Sequence, residues 1–257
     1  MNVETLLPVL ALLGLGSYFQ TVTGFGMGLI VMGAASGLHL APVATLAALV
    51  SLLTLANGAL ALPGKLHHIY WRAVRAATLG ILPSVVAGVV LLHYLSGTAA
   101  GVLQLMLGAV VLYGGIGAAL RPAALPSRSG DGSFFVSGVC GGLLSGLFGV
   151  SGPPLIFQFY RQPLNMVQIR CALILVFTTT SAVRTAYSAW QGELAGDVWL
   201  QAALAFPVVA LSTIAARRFP PPLSTEATRR LAFGVLVVLG AYLMWGSLWQ
   251  WFIAYSA

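Results

Sequence analysis

The stretch "QTVTGFGMGLI", residues 20–30, lies inside a long apolar run of the chain. Its first nine residues include three glycines and two threonines, although glycine weakens a helix more than any residue except proline. A second apolar run carries a comparable stretch, "GLFGVSGPPLI", at residues 146–156. Poor helix formers in the middle of two hydrophobic runs indicate that each run consists of two shorter helices.

The composition is typical of an all-α integral membrane protein. Of 257 residues, 59% are hydrophobic and 7% are charged, and the mean hydropathy is +0.95, whereas soluble domains contain about 25% charged residues. Several apolar runs exceed the roughly 20 residues that a membrane helix needs. The chain is therefore expected to span the lipid bilayer of the plasma membrane. Its apolar segments cover residues 5–37, 42–62, 73–93, 97–120, 133–160, 166–190, 198–216 and 231–254.

The net charge of +7 is explained by membrane topology, so no nucleic-acid partner is expected. Eleven basic residues lie in the four loops 63–75, 121–132, 161–170 and 217–230. If segment 133–160 crossed the membrane once, five of them would lie on one side of the membrane and six on the other. If it turns at residues 148–154 and returns, all eleven lie on one side, as the positive-inside rule requires. The sequence thus predicts a re-entrant helix pair here. By analogy it predicts another in segment 5–37, with both termini outside.

The polar stretch "RPAALPSRSGDGS", residues 121–133, divides the chain into two halves of four segments each. Each half opens with a glycine-interrupted segment, and we predict a first repeat at 1–121, a cytoplasmic linker at 122–132 and a second repeat at 133–257. The first half starts outside and the second inside. Two such inverted repeats, each opening with a broken re-entrant helix pair, are a common transporter architecture.

The two interruptions are candidate binding sites for a small anion. A helix broken inside the bilayer leaves backbone groups unpaired, so the break must lie in protein or face a polar cavity. The N-terminus of the following helix presents free N–H groups and a partial positive charge. The alternative is that the glycines only allow close helix packing, which we favour for Gly138, Gly142 and Gly146. The candidate binding residues are Gln20, Thr21, Thr23, Gly24, Phe25, Gly26 and Gly28 in the first interruption, and Phe148, Gly149, Ser151, Gly152 and Pro153 in the second.

Other polar residues inside the spans extend this candidate site. Arg184 either binds the anion or extends to the outer interface. If it binds the anion, Tyr187 and the threonines at 178–180 assist it, and among these threonines Thr179 is the candidate binding residue. Asn57 either contacts the anion or forms an interhelical hydrogen bond. Arg161 and Arg170 are expected to anchor the inner surface.

Several other functions are disfavoured. No Asp or Glu lies within a predicted span, which argues against a cationic substrate and a carboxylate proton relay. "GVSG" at 149–152 matches a motif of intramembrane serine proteases, but the four histidines lie at span ends, away from Ser151, and such a serine needs a nearby base. We expect no enzyme activity, no cofactor and no metal site. The two cysteines, Cys140 and Cys171, are interpreted as small buried apolar residues.

With "TGFGMGLIVMG" opening one half and "GLLSGLFGVSGPPLI" opening the other, the sequence resembles the sulfite exporter TauE/SafE family, also called the four-toluene-sulfonate uptake permease family. Met27 stands where members often have glycine. The resemblance implies transport of sulfite, a sulfonate, sulfoacetate or a related sulfur oxyanion. The expected mechanism is alternating access. The alternative functions are a passive anion channel and an intramembrane serine hydrolase. Whether the protein forms a homodimer is left open.

Overall fold

A computed structural model describes residues 3–38, 40–98, 100–119, 125–192, 194 and 196–219, and single positions at 234, 237, 238, 240–242, 244 and 245. Throughout this part of the chain the regular structure is helical, and six of its helices are long and apolar enough to cross a membrane. The predicted segment 231–254 lies largely outside the described residues. The helices are α1 Val3–Thr23, α2 Met27–Gly37, α3 Val43–Ala61, α4 Trp71–Thr98, α5 Ala100–Ala119, α6 Asp131–Phe148, α7 Gly152–Tyr160, α8 Met166–Trp190 and α9 Gly196–Arg218, with a 3-10 turn at Leu66–His68.

Both glycine-rich stretches interrupt a helix, as the sequence predicts. Between α1 and α2, Gly24 and Gly26 have φ angles of +94° and +117°. Between α6 and α7, Gly149 has a φ angle of +67°. Positive φ costs glycine little and other residues considerably more, so these glycines are what allow the chain to leave one helix and enter the next.

The chain folds back on itself at each interruption. A β-carbon added at Gly16, seven residues before α1 ends, would lie 3.1 Å from the Met27 Cα. A continuous helix would instead place these two residues about 16 Å apart along its axis. Likewise, a β-carbon at Gly141 of α6 would lie 3.1 Å from the carbonyl oxygen of Ser151. Each pair, α1 with α2 and α6 with α7, is therefore a helical hairpin.

The described helices of the two halves follow a similar order, and three of their boundaries are 125 residues apart. The first helix ends at Thr23 in one half and at Phe148 in the other, and the short second helix begins at Met27 and at Gly152. Both differences are 125 residues, and α4 and α9, which begin at Trp71 and at Gly196, are also 125 residues apart. Helix α6 begins at Asp131, two residues before the predicted start of the second repeat.

Helices α4 and α6 pack closely through glycines. Gly138 lies against the backbone of Ala77, Gly142 against Ile81 and Ser84, and Gly146 against Gly88. This confirms the packing interpretation of the three α6 glycines. At the start of α6, Asp131 accepts a hydrogen bond of 3.0 Å from Arg72 of α4 and one of 2.9 Å from Arg128 in the preceding loop.

Replacing Gly138 with Ala is expected to lower the free energy of unfolding by about 1–3 kcal/mol, the usual cost of overpacking. Its new methyl group would lie 2.9 Å from the carbonyl carbon of Ala77, and backbone moves less readily than a side chain. The matched control is Gly132→Ala in the same helix, which meets nothing within 4 Å. Thermal unfolding in detergent measures both variants, and equal melting temperatures would contradict the prediction.

Candidate functional site

The two interruptions meet inside the bundle. A β-carbon added at Gly28, the second residue of α2, would lie 3.0 Å from Val150 Cγ2 and 3.2 Å from the carbonyl oxygen of Gly149. From the other side, a β-carbon at Gly152 would lie 3.3 Å from Leu29 Cδ1. The N-termini of α2 and α7, one from each half of the chain, therefore lie next to each other.

A small cavity lies between these two helix ends. Its volume of about 20 Å³ is room for one or two water molecules. Six predicted binding residues line it, together with five that the sequence did not single out. The predicted residues are Gln20, Gly26, Gly28, Gly149, Ser151 and Gly152. The additional residues are Leu29, Thr54, Val150, Phe177 and Ser181.

Backbone amides supply donors at the cavity. Gln20 Oε1 accepts a hydrogen bond of 3.2 Å from the Met27 amide, and the Ile30 amide donates to the carbonyl of Gly26. Between them, the amides of Gly28 and Leu29 have no hydrogen-bond partner among the described residues. In α7, prolines follow Gly152 directly and have no N–H. The donors at the start of α7 are thus the Gly152 amide and the amide and hydroxyl of Ser151.

Gln20 is held by a buried polar network around Asn57. Gln20 Nε2 donates to Asn57 Oδ1 at 3.1 Å. Asn57 Nδ2 lies 3.0 Å from Ser17 Oγ and 2.9 Å from the hydroxyls of Thr21 and Thr213. The network joins α1, α3 and α9, so Asn57 forms the interhelical hydrogen bonds that were one alternative. Neither Asn57 nor Thr21 lines the cavity.

The remaining residues of the first interruption shape the turn. The Thr23 hydroxyl lies 2.9 Å from the carbonyl oxygens of both Phe19 and Phe25. Phe25 is fully buried and packs edge-on against Phe19 and Tyr160. Gly24 lies against α8, where a β-carbon would approach the Arg170 Cα to 2.8 Å. These residues position the start of α2 without lining the cavity.

In the second interruption, Phe148 is fully buried at the end of α6, and Pro153 occupies the first turn of α7. Neither side chain lines the cavity. Both therefore belong to the packing around the site.

One face of α8 points towards the cavity. Phe177 and Ser181 line it, and Thr180 Oγ1 lies 3.2 Å from the Ser151 hydroxyl. Thr179, in contrast, donates to the Leu175 carbonyl of its own helix. Tyr187 lies near the end of α8, where its hydroxyl accepts a hydrogen bond from Gln191. The sequence-based choice of Thr179 and Tyr187 therefore selected two residues that the structure places away from the cavity.

Two arginines of α8, Arg170 and Arg184, form contacts that the sequence did not settle. The sequence left two alternatives for Arg184 and assigned Arg170 to the inner surface. Arg184 has 2% of its surface exposed, so its alternative placement at the outer interface is wrong. Its Nε donates to the Gly146 carbonyl at 3.2 Å, and its Nη1 lies 3.4 Å from Ser51 Oγ. Arg170 is half-buried and donates from Nη1 to the Val22 carbonyl at 3.0 Å. Arg170 thus contacts the C-terminal end of α1. The sequence predicted only that it anchors the inner surface.

The end of the bundle near Arg170 is basic. Lys65 lies in the loop after α3, where burial lowers its pKa and the charges of Arg170 and Arg217 lower it further. Arg217 also donates to the carbonyl of Leu60, near the end of α3. Cations near helix C-termini are favourable, so these contacts stabilise the helix ends.

Comparison with known proteins identifies the family of the chain. The sequence profile of the sulfite exporter TauE/SafE family matches residues 9–243. The chain belongs to this family. It is also 68% identical over 254 residues to a protein of Cupriavidus necator named "Probable sulfite/organosulfonate exporter TauE", with 98% of this chain and 99% of that protein aligned. No solved structure matches the chain.

Membership of the family makes the chain a multi-pass membrane transport protein. It is therefore not an enzyme, and the protease interpretation of "GVSG" is wrong. The Ser151 hydroxyl in that motif pairs with the hydroxyl of Thr180, another neutral group. Within the described residues no cluster of potential metal ligands occurs.

We expect Thr180→Val to reduce the rate of sulfur-anion transport in proteoliposomes roughly fivefold, because the lost hydrogen bond to Ser151 corresponds to about 1 kcal/mol. The matched control is Thr179→Val, one residue away. Both hydroxyls donate to their own helix, but among the described residues the Thr179 hydroxyl has no hydrogen bond to a cavity-lining residue. An equal effect of the two substitutions on the initial rate would contradict this assignment.

Proposed function

We propose that this protein exports a small sulfur oxyanion, sulfite or an organosulfonate, across the plasma membrane. The observation that carries the proposal is the meeting of two helix N-termini, those of α2 and α7, at one cavity lined mostly by buried residues. Each such end has roughly half a positive charge and unpaired N–H groups. Together the two ends supply the donors and the positive field of an anion site, and the cavity of about 20 Å³ must widen to admit sulfite or an organosulfonate.

The donors around the cavity suit an oxyanion with several acceptor oxygens. Amides of Gly28, Leu29 and Gly152 come from the two helix ends, and the hydroxyls of Thr54 and Ser181 are on the facing helices. No carboxylate is among the lining residues, so nothing there repels an anion by like charge. The name of the Cupriavidus necator relative supports sulfite and organosulfonates as the substrate class.

The packing of the two halves supports an inverted repeat. In the first interruption, Gly24 lies against Arg170 in the first turns of α8. In the second, Gly149 lies against Ala47 in the first turns of α3. Helices α3 and α8 occupy the same place in their respective halves, so each interruption packs on the other half's third helix. Such reciprocal contacts are expected of two repeats related by a pseudo-two-fold axis.

Alternating access follows from this arrangement as the proposed mechanism. The two halves move relative to each other about the shared cavity, which opens first to the inside and then to the outside. The basic end, with Lys65, Arg170 and Arg217, faces the cytoplasm by the positive-inside rule. The N-terminus of α1 is then outside, and an exported anion enters from the positively charged side.

Counterflow in proteoliposomes tests the proposal. Vesicles loaded with unlabelled sulfite are expected to accumulate external labelled sulfite transiently, with saturation. Sulfite at 100 times its dissociation constant is also expected to stabilise the purified protein by about 2.7 kcal/mol. Flux without saturation or counterflow would favour the passive channel. Absence of sulfite and sulfonate flux would contradict the proposed function.

Gly28→Ala is expected to raise the KM for sulfite on the order of tenfold, because overpacking costs about 1–3 kcal/mol. The added methyl group lies 3.0 Å from Val150 Cγ2 and therefore narrows the cavity, at a position with an ordinary helical backbone. Gly196→Ala is the control, since a β-carbon there meets nothing within 4 Å. An unchanged KM in the Gly28 variant would remove the α2 terminus from the binding site.

A further inference from the structure

Helix α8 brings an arginine to each interruption. Arg170 donates to the carbonyl of Val22, in the last turn of α1. Arg184 donates to the carbonyl of Gly146, in the last turn of α6. The last four carbonyls of a helix have no partner within that helix. Both arginines therefore contact the same part of a re-entrant pair, namely the C-terminal end of its first helix.

These two helix ends create an electrostatic problem for an anion site. A helix C-terminus carries roughly half a negative charge, and a helix N-terminus roughly half a positive charge. A hairpin places one beside the other, so their fields partly cancel. At the second interruption the effect is direct, because Gly149 and Val150, which follow α6, line the cavity. The negative end of α6 opposes the binding of an anion at the start of α7.

We infer that Arg184, and to a smaller extent Arg170, neutralise these negative helix ends and thereby set the preference of the cavity for anions of higher charge. This inference rests on the proposed function. Arg184 acts through the end of α6 and through its own charge, since it is not among the cavity-lining residues. It is a positioning and specificity-determining residue rather than a ligand of the anion.

The position of Arg184 lets its charge act on the end of α6 and on the cavity. Ser181, one turn earlier on the same face of α8, lines the cavity. The side chain of Arg184 is buried between α6 and α3, where it contacts Gly146 and Ser51. Charges interact strongly in such a poorly polarisable environment. Arg170 is half-buried beside Lys65, so solvent screens it more and its effect on the cavity is smaller.

A purely structural cap would behave differently from an electrostatic one. Loss of a cap loosens the end of α6 and affects every substrate alike. Loss of a charge that acts on the cavity weakens a dianion more than a monoanion of similar size. The ratio of the KM values of two such substrates therefore separates the two roles.

The experiment compares sulfite, at alkaline pH where it is the dianion, with the monoanion methanesulfonate in proteoliposomes. Arg184→Gln is expected to raise the KM for sulfite about tenfold and that for methanesulfonate about threefold, with kcat little changed. Burial and alkaline pH favour loss of the proton from a lysine at this position, so Arg184→Lys is expected to raise both KM values to levels between those of the wild type and Arg184→Gln. Arg170→Gln is expected to raise the KM for sulfite only about threefold, because it is more exposed, and the KM for methanesulfonate by a smaller factor.

An unchanged ratio of KM values in Arg184→Gln, with a lower kcat for both anions, overturns the inference and leaves Arg184 a structural cap. If that variant does not fold, Arg170→Gln decides, and an unchanged ratio of its two KM values then overturns the inference. Wild-type vesicles that transport neither sulfite nor methanesulfonate would overturn the proposed function itself. Normal transport by the wild type, with an unchanged KM ratio in the variant, overturns this inference alone.

Discussion

The structure depends on how backbone groups are satisfied where two helices break inside an apolar bundle. An unpaired N–H or C=O costs several kcal/mol in such surroundings. At the first interruption, Gln20 accepts from the Met27 amide and Arg170 donates to the Val22 carbonyl. At the second, Arg184 donates to the Gly146 carbonyl, and two prolines remove N–H groups that would otherwise be unpaired. The amides of Gly28, Leu29 and Gly152 remain at the residues that line the cavity, where the proposed anion would accept from them.

The two halves solve this problem with different residues. Gln20 and its partner Asn57 support the first interruption through a hydrogen-bonded network that includes Ser17. The residues 125 positions after Ser17 and Gln20 are Gly142 and Ser145, and that region packs closely against α4 instead. One architecture is thus built with two kinds of contact. The proposed repeat therefore rests on the order of its elements rather than on matching residues.

Much of the fold could be predicted from local patterns. Apolar length predicts the spans, and glycines and prolines mark where helices end, because both effects act within a few residues of the chain. The candidate site was only partly predictable. Gly28, Gly149 and Gly152 line the cavity as expected, but Ser181 was missed and Thr179 was chosen in its place. Which face of α8 meets the cavity depends on the rotation of that helix against its neighbours, and no short pattern in α8 records it.

The amino-acid sequence by itself determined the membrane class, the helical segments, both interruptions and the family resemblance. The tertiary structure decided that the two interruptions meet, that Asn57 joins three helices, and that Arg184 points inwards to Gly146. The physical reason is the range of the interactions. Backbone preferences and hydrophobicity act locally, whereas Asn57 and Thr213 are 156 residues apart and Arg184 and Gly146 are 38 apart. Contacts over such separations arise from the packing of whole helices.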